Sequence, residues 1–373
     1  MKFTATSSSL GAKLAAVGKV INSKNALPIL GDIVFDVQGT QLGLMASDSE
    51  IWMQTGIELT ESDGDMTFAV GAHDIIEAVR NLSEQPLTFD VDQEHHTMKI
   101  SYSNGHFSLP IEDAGEFPKP FQISGDVHKQ LDKGIFTECI ARTVFGCADN
   151  ELRPVMNGEY FDFTEKHLAI VASDGHKLIR NLLTEVKSET IGSFIMPKKV
   201  VAVIRSTISK GEGEVHIHFD DRNARMEFDT TTVTFRLIDG RFPNYNSVIP
   251  QNNPNEARVD RACLLAALKR VQNFSNSSSY LVRFQFEGSK LQLDAEDYDF
   301  SKTATETVAC EYEGTPMSIG FKSSTFVDIL AKISSKEVVI QLSDPSRAAL
   351  IIPAEQKEGV EVLMLIMPML LNS

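Results

Sequence analysis

Apolar residues recur at helical and at strand spacing by turns along the whole chain. Ser7-Ser8-Ser9 precedes Leu10, Leu14, Val17, Val20 and Ile21. A cap-like cluster ahead of a 3.6-residue period predicts a helix over Ser7–Asn22. Alternating or continuous apolar runs predict strands at Ile33–Val37, Leu42–Met45, Thr67–Val70, Leu87–Val91 and Met98–Tyr102. A helix is predicted over Gly71–Leu82, and Asn104-Gly105 reads as a hairpin turn. The order then returns. A helix over Lys129–Phe145 precedes strands at Gly158–Phe163 and Leu168–Ile170, and Ser193–Pro197 feeds a helix over Lys198–Ser209. Near the end, Asp260 caps a helix over Arg261–Phe274, a second helix covers Lys322–Ile333, and Val362–Met367 closes as a strand.

Two landmarks fix the period. Ala172-Ser173-Asp174 echoes Ala46-Ser47-Asp48 and, in eroded form, Ala295-Glu296-Asp297. Asp48 and Asp174 are 126 residues apart, Asp174 and Asp297 are 123. Phe107-x-Leu109 followed by Phe117-Pro118 is matched by Phe235-x-Leu237 followed by Phe242-Pro243. A pattern that returns at this distance is a domain written three times, not a solenoid turn. The expected domains are 1–124, 125–252 and 253–373, with turn-rich boundaries near Gly125 and Asn252. Each is expected to be α+β, with two helices among many strands.

Composition narrows the class. The 373 residues are 42% hydrophobic and 23% charged, the balance of an ordinary soluble globular protein. No window approaches 18 unbroken apolar residues, so no transmembrane helix is expected, and the N-terminus lacks a signal-peptide apolar core. Cys139, Cys147, Cys263 and Cys310 have no C-x-x-C spacing and read as reduced cytosolic thiols, so the expected location is cytoplasmic. No zinc-ligand spacing and no G-x-x-x-x-G-K-[ST] loop occur, and no cofactor or metal is expected.

A net charge of −16 argues against nucleic acid unless the basic residues are gathered on one surface. They are gathered on helices. Ser7–Asn22 holds Lys13 and Lys19 and no acid; Lys198–Ser209 holds Lys198, Lys199 and Arg205 and no acid; Arg261–Phe274 holds Arg261, Lys269 and Arg270. Over the six predicted helices the net is +9, leaving −25 for the rest. Such a bias suits a surface that holds a duplex by its phosphates without reading bases. The plainer reading is a set of solvated helix faces; six helices in three copies favour the first.

With these residues in place the chain resembles the bacterial sliding clamp family, the β subunit of DNA polymerase III. The resemblance spans the whole chain. It is carried by Leu27-Pro28-Ile29-Leu30-Gly31, Met156-Asn157-Gly158, Ser173-Asp174-Gly175-His176-Lys177-Leu178, Asp239-Gly240-Arg241-Phe242-Pro243-Asn244-Tyr245 and Met367-Pro368-Met369, five pieces in order within a threefold repeat. It implies three copies of one domain, each two helices backed by antiparallel sheets, and a head-to-tail homodimer closed into a ring with its helices inward. It implies a non-catalytic subunit that encircles duplex DNA without sequence preference. The implied partners are the replicative polymerase α subunit, the clamp-loader δ subunit and other proteins carrying clamp-binding peptides.

By that resemblance Lys24, Arg80, Asn150, Lys198 and Lys199 are expected to face DNA. The peptide cleft between the second and third domains is expected from Met156, Ser173, Gly175, His176, Lys177, Leu178, Pro243, Val248, Leu365, Met367, Pro368 and Met369. Methionines suit a surface that accepts several peptides, and Gly175 admits close backbone approach. Phe107 and Phe274 match dimer-contact positions; packing within their own domains is the other reading. Ser247 and Leu370 stand where some relatives carry arginine, which removes charge from the cleft rim.

Two rivals remain. Ser173, Asp174 and His176 suggest a hydrolase, but residues so close on one strand end seldom converge as a triad, no G-x-S-x-G surrounds Ser173, and neither echo carries the histidine. A three-repeat interaction scaffold that encircles no DNA is the second.

Overall fold

The computed structural model describes residues 1–371 other than 23, 26, 125, 126, 151 and 189; the boundary expected near Gly125 lies outside the described residues. Among them are six α-helices: α1 Ser7–Val17, α2 Ala72–Arg80, α3 Lys133–Thr143, α4 Lys198–Thr207, α5 Arg261–Val271 and α6 Ser323–Lys332. They fall as two per repeat, as the periodicity requires. Strands make up most of the remainder, and every described pairing is antiparallel.

The helix ends differ from the sequence reading in instructive ways. Val127–Asp132 is a strand, so the helix expected from Lys129 begins four residues later. Asp132 makes the change: its carboxylate accepts the Ile135 N–H at 2.8 Å, capping α3. Asp260 does the same for α5, accepting Cys263 N–H at 2.8 Å. The first helix ends at Val17 rather than Asn22, and Lys322 belongs to the strand before α6. Gln272–Phe274 is a 3₁₀ turn that follows α5. With these limits the helical excess is +7 rather than +9. The hairpin turn expected at Asn104-Gly105 is made by Ser103 and Asn104, with Gly105 already paired to Tyr102.

The chain forms two compact units that cut across the second repeat: Met1–Thr137 with Lys199–Leu237, and Glu138–Lys198 with Ile238 onward. In the first unit a five-stranded sheet stands with an eight-stranded one. The eight-stranded sheet joins four strands from each of the first two repeats, through Thr231–Arg236 paired with Ile51–Glu58. Phe235 lies opposite Ile51, and both are buried. Helix α1 lies on α2 here, and Gly18 permits it: a Cβ would come within 2.6 Å of the Ile76 Cδ1.

In the second unit a twelve-stranded sheet runs through the second and third repeats. Its junction is Lys177–Leu183 paired with Val360–Ile366. The two junctions obey one rule. The last strand of a repeat pairs with the strand that follows the Ala-Ser-Asp turn of the repeat before it.

Candidate nucleic-acid and peptide interfaces

The Ala-Ser-Asp stretch is first a turn. Asp174 Oδ1 accepts the N–H groups of His176 and Lys177 at 2.8 and 2.9 Å, and Ser173 Oγ accepts the Gly175 N–H at 3.2 Å. Gly175 sits at φ +90°, the left-handed region that suits glycine. The first copy repeats this: Asp48 Oδ1 accepts Glu50 and Ile51 N–H at 3.0 and 2.7 Å, and Ser47 Oγ accepts Ser49 N–H at 2.9 Å. In both copies a lysine takes the other carboxylate oxygen, Lys177 for Asp174 and Lys199 for Asp48. In the third, Asp297 accepts the Asp299 N–H at 3.2 Å. The recurrence is therefore explained by turn closure.

That closure also removes the hydrolase reading. Ser173 Oγ donates to the Lys177 carbonyl at 2.8 Å, and the residue is only 9% exposed. Asp174 is spent on backbone N–H groups and an ammonium. Burial by itself raises its carboxyl, but Lys177 and the two N–H groups outweigh burial and hold it below the usual carboxylate range.

The turn presents its residues at the junction of the twelve-stranded sheet. Lys177 pairs with Ile366 and Leu178 with Leu365. The pairing continues past the strand, where Met367 N–H donates to the His176 carbonyl at 2.8 Å. Beneath lies a core of Val171, Leu178, Phe242, Tyr245, Leu350 and Leu365, with Val155 and Tyr160 against it. Tyr160 stacks on Phe242 at 4.7 Å, and Tyr245 donates to Asp162 Oδ2 at 2.9 Å. Burial first, and then that bond, push the Tyr245 hydroxyl well above its usual value.

The twelve expected cleft residues therefore divide. Ser173, Leu178 and Leu365 are buried and form a floor. Gly175, His176, Pro243, Val248 and Met367 are exposed, Val248 by 56% and Met367 by 41%. Met156, Lys177, Pro368 and Met369 are half-buried. Met369 is anchored farther along, its N–H donating to the Gly320 carbonyl at 2.8 Å. Ser247 Oγ donates to the Asn244 carbonyl at 2.7 Å, and Leu370 is 90% exposed. Tyr160 and Arg153 are additions to the expected cleft, and Tyr245, known from sequence only as the end of a motif, joins them. A Cβ on Gly175 would lie 3.0 Å from the Arg153 guanidinium, so that side chain lies beside the turn.

The basic positions are placed as follows. Lys24 and Asn150 are exposed, and the Asn150 side chain accepts the Leu152 N–H at 2.8 Å. Arg80 pairs with Glu77 at 2.6 Å. Lys198 pairs with Asp149, and Lys199 holds Asp48, Asn22 and the Val20 carbonyl. In the first unit the Lys199 bonds lay the end of α1 beside α4, where Lys19 Nζ also donates to the Ser206 carbonyl at 2.8 Å. Lys19, Lys199 and Arg205 thus share an exposed region to which α1 and α4 bring no acid. Acid gathers elsewhere in that unit. One groove of about 1000 Å³ is lined by Asp132, Glu212, Glu214, Glu227 and Asp229. Another of about 700 Å³ is lined by Asp32, Asp74, Glu112, Asp113 and Glu116.

Phe107 and Phe274 are both open to solvent in part. Phe107 stacks on Tyr102 at 4.9 Å along Gly105–Pro110, one edge of the five-stranded sheet. Phe274 is 42% exposed. The four cysteines are free, with Cys263 exposed. No helix among the described residues is long and apolar enough to cross a membrane.

Comparison with known proteins covers the whole chain. Residues 1–121, 130–244 and 246–370 match the N-terminal, central and C-terminal domains of the DNA polymerase III beta subunit. A beta sliding clamp of Pseudomonas putida is 27% identical over 365 residues, 98% of this chain and 99% of that one. A beta sliding clamp of Salmonella typhimurium is 28% identical over 364 residues, again 98% and 99%. The crystal structure of a sliding clamp from Pseudomonas aeruginosa bound to griselimycin superposes with a TM-score of 0.94 at 26% identity, covering all of both chains.

Proposed function

This chain belongs to the DNA polymerase III beta subunit family, and from that premise we propose that it is a DNA sliding clamp. It is a non-catalytic processivity factor that encircles duplex DNA and tethers the replicative polymerase. Its domains are 1–124, 125–252 and 253–373.

The observation that carries the ring is a pairing made twice and left open once. Gly105–Pro110 ends the first repeat, as Thr231–Arg236 and Val360–Ile366 end the others, yet among the described residues it is paired on one side alone. Lys302–Tyr312 follows the third turn, and its residues 302–309 have a partner on one side alone among the described residues. A second copy, head to tail, supplies what each lacks, giving six repeats in a closed circle. Phe107 supports this. Its echo in the second repeat, Phe235, is 0% exposed at its junction, whereas Phe107 is half-buried. Phe274 lies on the third repeat, on the other side of the same contact.

Inside the ring the acid-free helices α1 and α4, with Lys24, Arg80, Asn150, Lys198 and Lys199, meet phosphates. Several of these cations are already paired with carboxylates, so each adds a weak contact. Weak, sequence-independent contacts let the ring slide, where base-specific bonds would arrest it. The cleft above Leu178 and Leu365 takes peptides of the polymerase α subunit, the clamp-loader δ subunit and repair proteins. The protein works in the cytoplasm. Sedimentation tests closure: the dimer has twice the 41.2 kDa of the chain, and Phe107→Asp reduces it to the single-chain mass. A wild-type chain that stays single at micromolar concentration rejects the ring.

A further inference from the structure

The edge strand Val127–Asp132 and its neighbour Glu214–Phe219 gather three histidines on one face. His128 lies directly opposite His218, and His216 is two residues along, on the same side of the sheet. His128 Nε2 stands 3.1 Å from His216 Nδ1. The His218 ring stacks on that of His128 at 4.5 Å between centroids. His128 is exposed and the other two are half-buried, so the cluster is open to solvent. Nothing in the clamp reading uses it.

One pair of its nitrogens is spaced as two ligands of a metal would be. Two imidazole nitrogens bound to one tetrahedral zinc lie about 3.3 Å apart, close to the separation His128 and His216 already hold. The outer nitrogen of His216, Nε2, is 3.7 Å from Glu214 Oε2. That is too long for a hydrogen bond, but it sets a carboxylate beside the cluster, where it would attract a bound cation. On the next strand Arg225 lies directly opposite His218, and its pairing with Glu227 at 2.8 Å offsets its repulsion of a cation.

We propose that His128, His216 and His218 form a binding site for a late divalent transition-metal ion of the Zn²⁺ or Ni²⁺ class, pinning the edge strand to its neighbour. The rings are stacked rather than convergent, and no three-ligand constellation is preformed among the described residues. Rotation of His218 about its side-chain bonds brings in the third nitrogen, and water completes the shell.

The test is calorimetric titration of NiCl₂ or ZnCl₂ into the full chain carrying Cys263→Ser, which removes the exposed thiol. One ion per chain is expected, bound at least tenfold more weakly by His128→Ala, His216→Ala or His218→Ala. Co²⁺ is expected to give visible ligand-field bands without thiolate charge transfer. Nickel should raise the Tm of the parent and leave that of the variants unchanged, while the metal-free variants unfold with the parent. Unchanged binding in His128→Ala/His216→Ala would overturn the proposal, by placing the ion on the nearby carboxylate groove. So would the absence of binding at millimolar metal.

Discussion

Leu178 and Leu365 stand directly opposite one another on the strands that join the second and third repeats. One follows the Ser-Asp-Gly-His turn, and the other precedes the Met-Pro-Met run. Their pairing is what brings two short motifs from different repeats to one surface, over the Phe242 and Tyr245 rings. Exposed and buried members of that surface should therefore respond differently to substitution.

Leu365→Ala opens the floor and is expected to cost about 2–5 kcal/mol of stability, with peptide affinity falling as well. Val248→Ala and Met367→Ala remove exposed contact area and should leave the unfolding midpoint where it was, while weakening a clamp-binding peptide about tenfold. Fluorescence polarisation beside urea denaturation separates the two effects. Undiminished peptide affinity in the Val248/Met367 double variant would remove the cleft assignment.

The Lys133 ammonium is only 4% exposed and rests on Asp229 at 2.7 Å and Ser209 Oγ at 3.0 Å. Asp229→Ala strands that charge. The expected loss is about 2–3 kcal/mol, below the full range for a buried pair because Asp229 is a third open to solvent. Adding Lys133→Met should restore most of it. A double variant no more stable than the single one contradicts the account of this pair.

Asp174, Asp220 and Asp229 are each held below the ordinary carboxylate range. In all three, burial pulls upward and is outweighed: by Lys177 and backbone N–H groups at Asp174, by backbone N–H groups and Ser124 at Asp220, and by Lys133 and Ser209 at Asp229. A depressed folded-state pKa means that the unfolded chain binds more protons, so stability rises with pH through that window. It is fully present above the unfolded carboxyl pKa of about 4 and is lost as pH falls through the folded values. Urea midpoints should hold between pH 7 and pH 5 and fall below about pH 4, less steeply in Asp174→Asn. A midpoint unchanged down to pH 3 is incompatible with this.

Gly158 pairs with Pro197, and a Cβ there would stand 2.3 Å from the Met196 carbonyl oxygen, a backbone atom with little room to yield. Gly158→Ala should cost about 1–3 kcal/mol. Gly31, in the Leu-Pro-Ile-Leu-Gly stretch of the first repeat, has nothing within 4 Å of such a Cβ. Gly31→Ala should be neutral or stabilise by up to about 1 kcal/mol, through the unfolded chain alone. Equal losses at both sites would refute the steric argument.

Local pattern made much of this fold legible. The strand Gly158–Phe163 and the starts of α1, α4 and α5 follow from apolar spacing and flanking residues. The strand Val127–Asp132 did not, because its outward face is polar, with His128 and Gln130, and an edge strand buries little. The cap Asp132 was the available signal. The junction pairs Ile51 with Phe235 and Leu178 with Leu365 had no sequence signature, since each residue reads simply as apolar and the partner is fixed by tertiary register. The same holds for Tyr160 and Arg153 at the cleft. Charge on the helices was legible by counting, but the carboxylates that engage Lys198 and Lys199 lie far away in sequence.

Retention on DNA of differing topology tests the central claim most directly. Protein loaded onto nicked circular duplex is separated by gel filtration, and the circle is then cut once with a restriction enzyme. Co-elution with the circle and release on linearisation are predicted, at a salt concentration where free protein does not bind. Equal retention on circular and linear duplex would mean that the chain grips DNA rather than surrounds it, and would contradict the account.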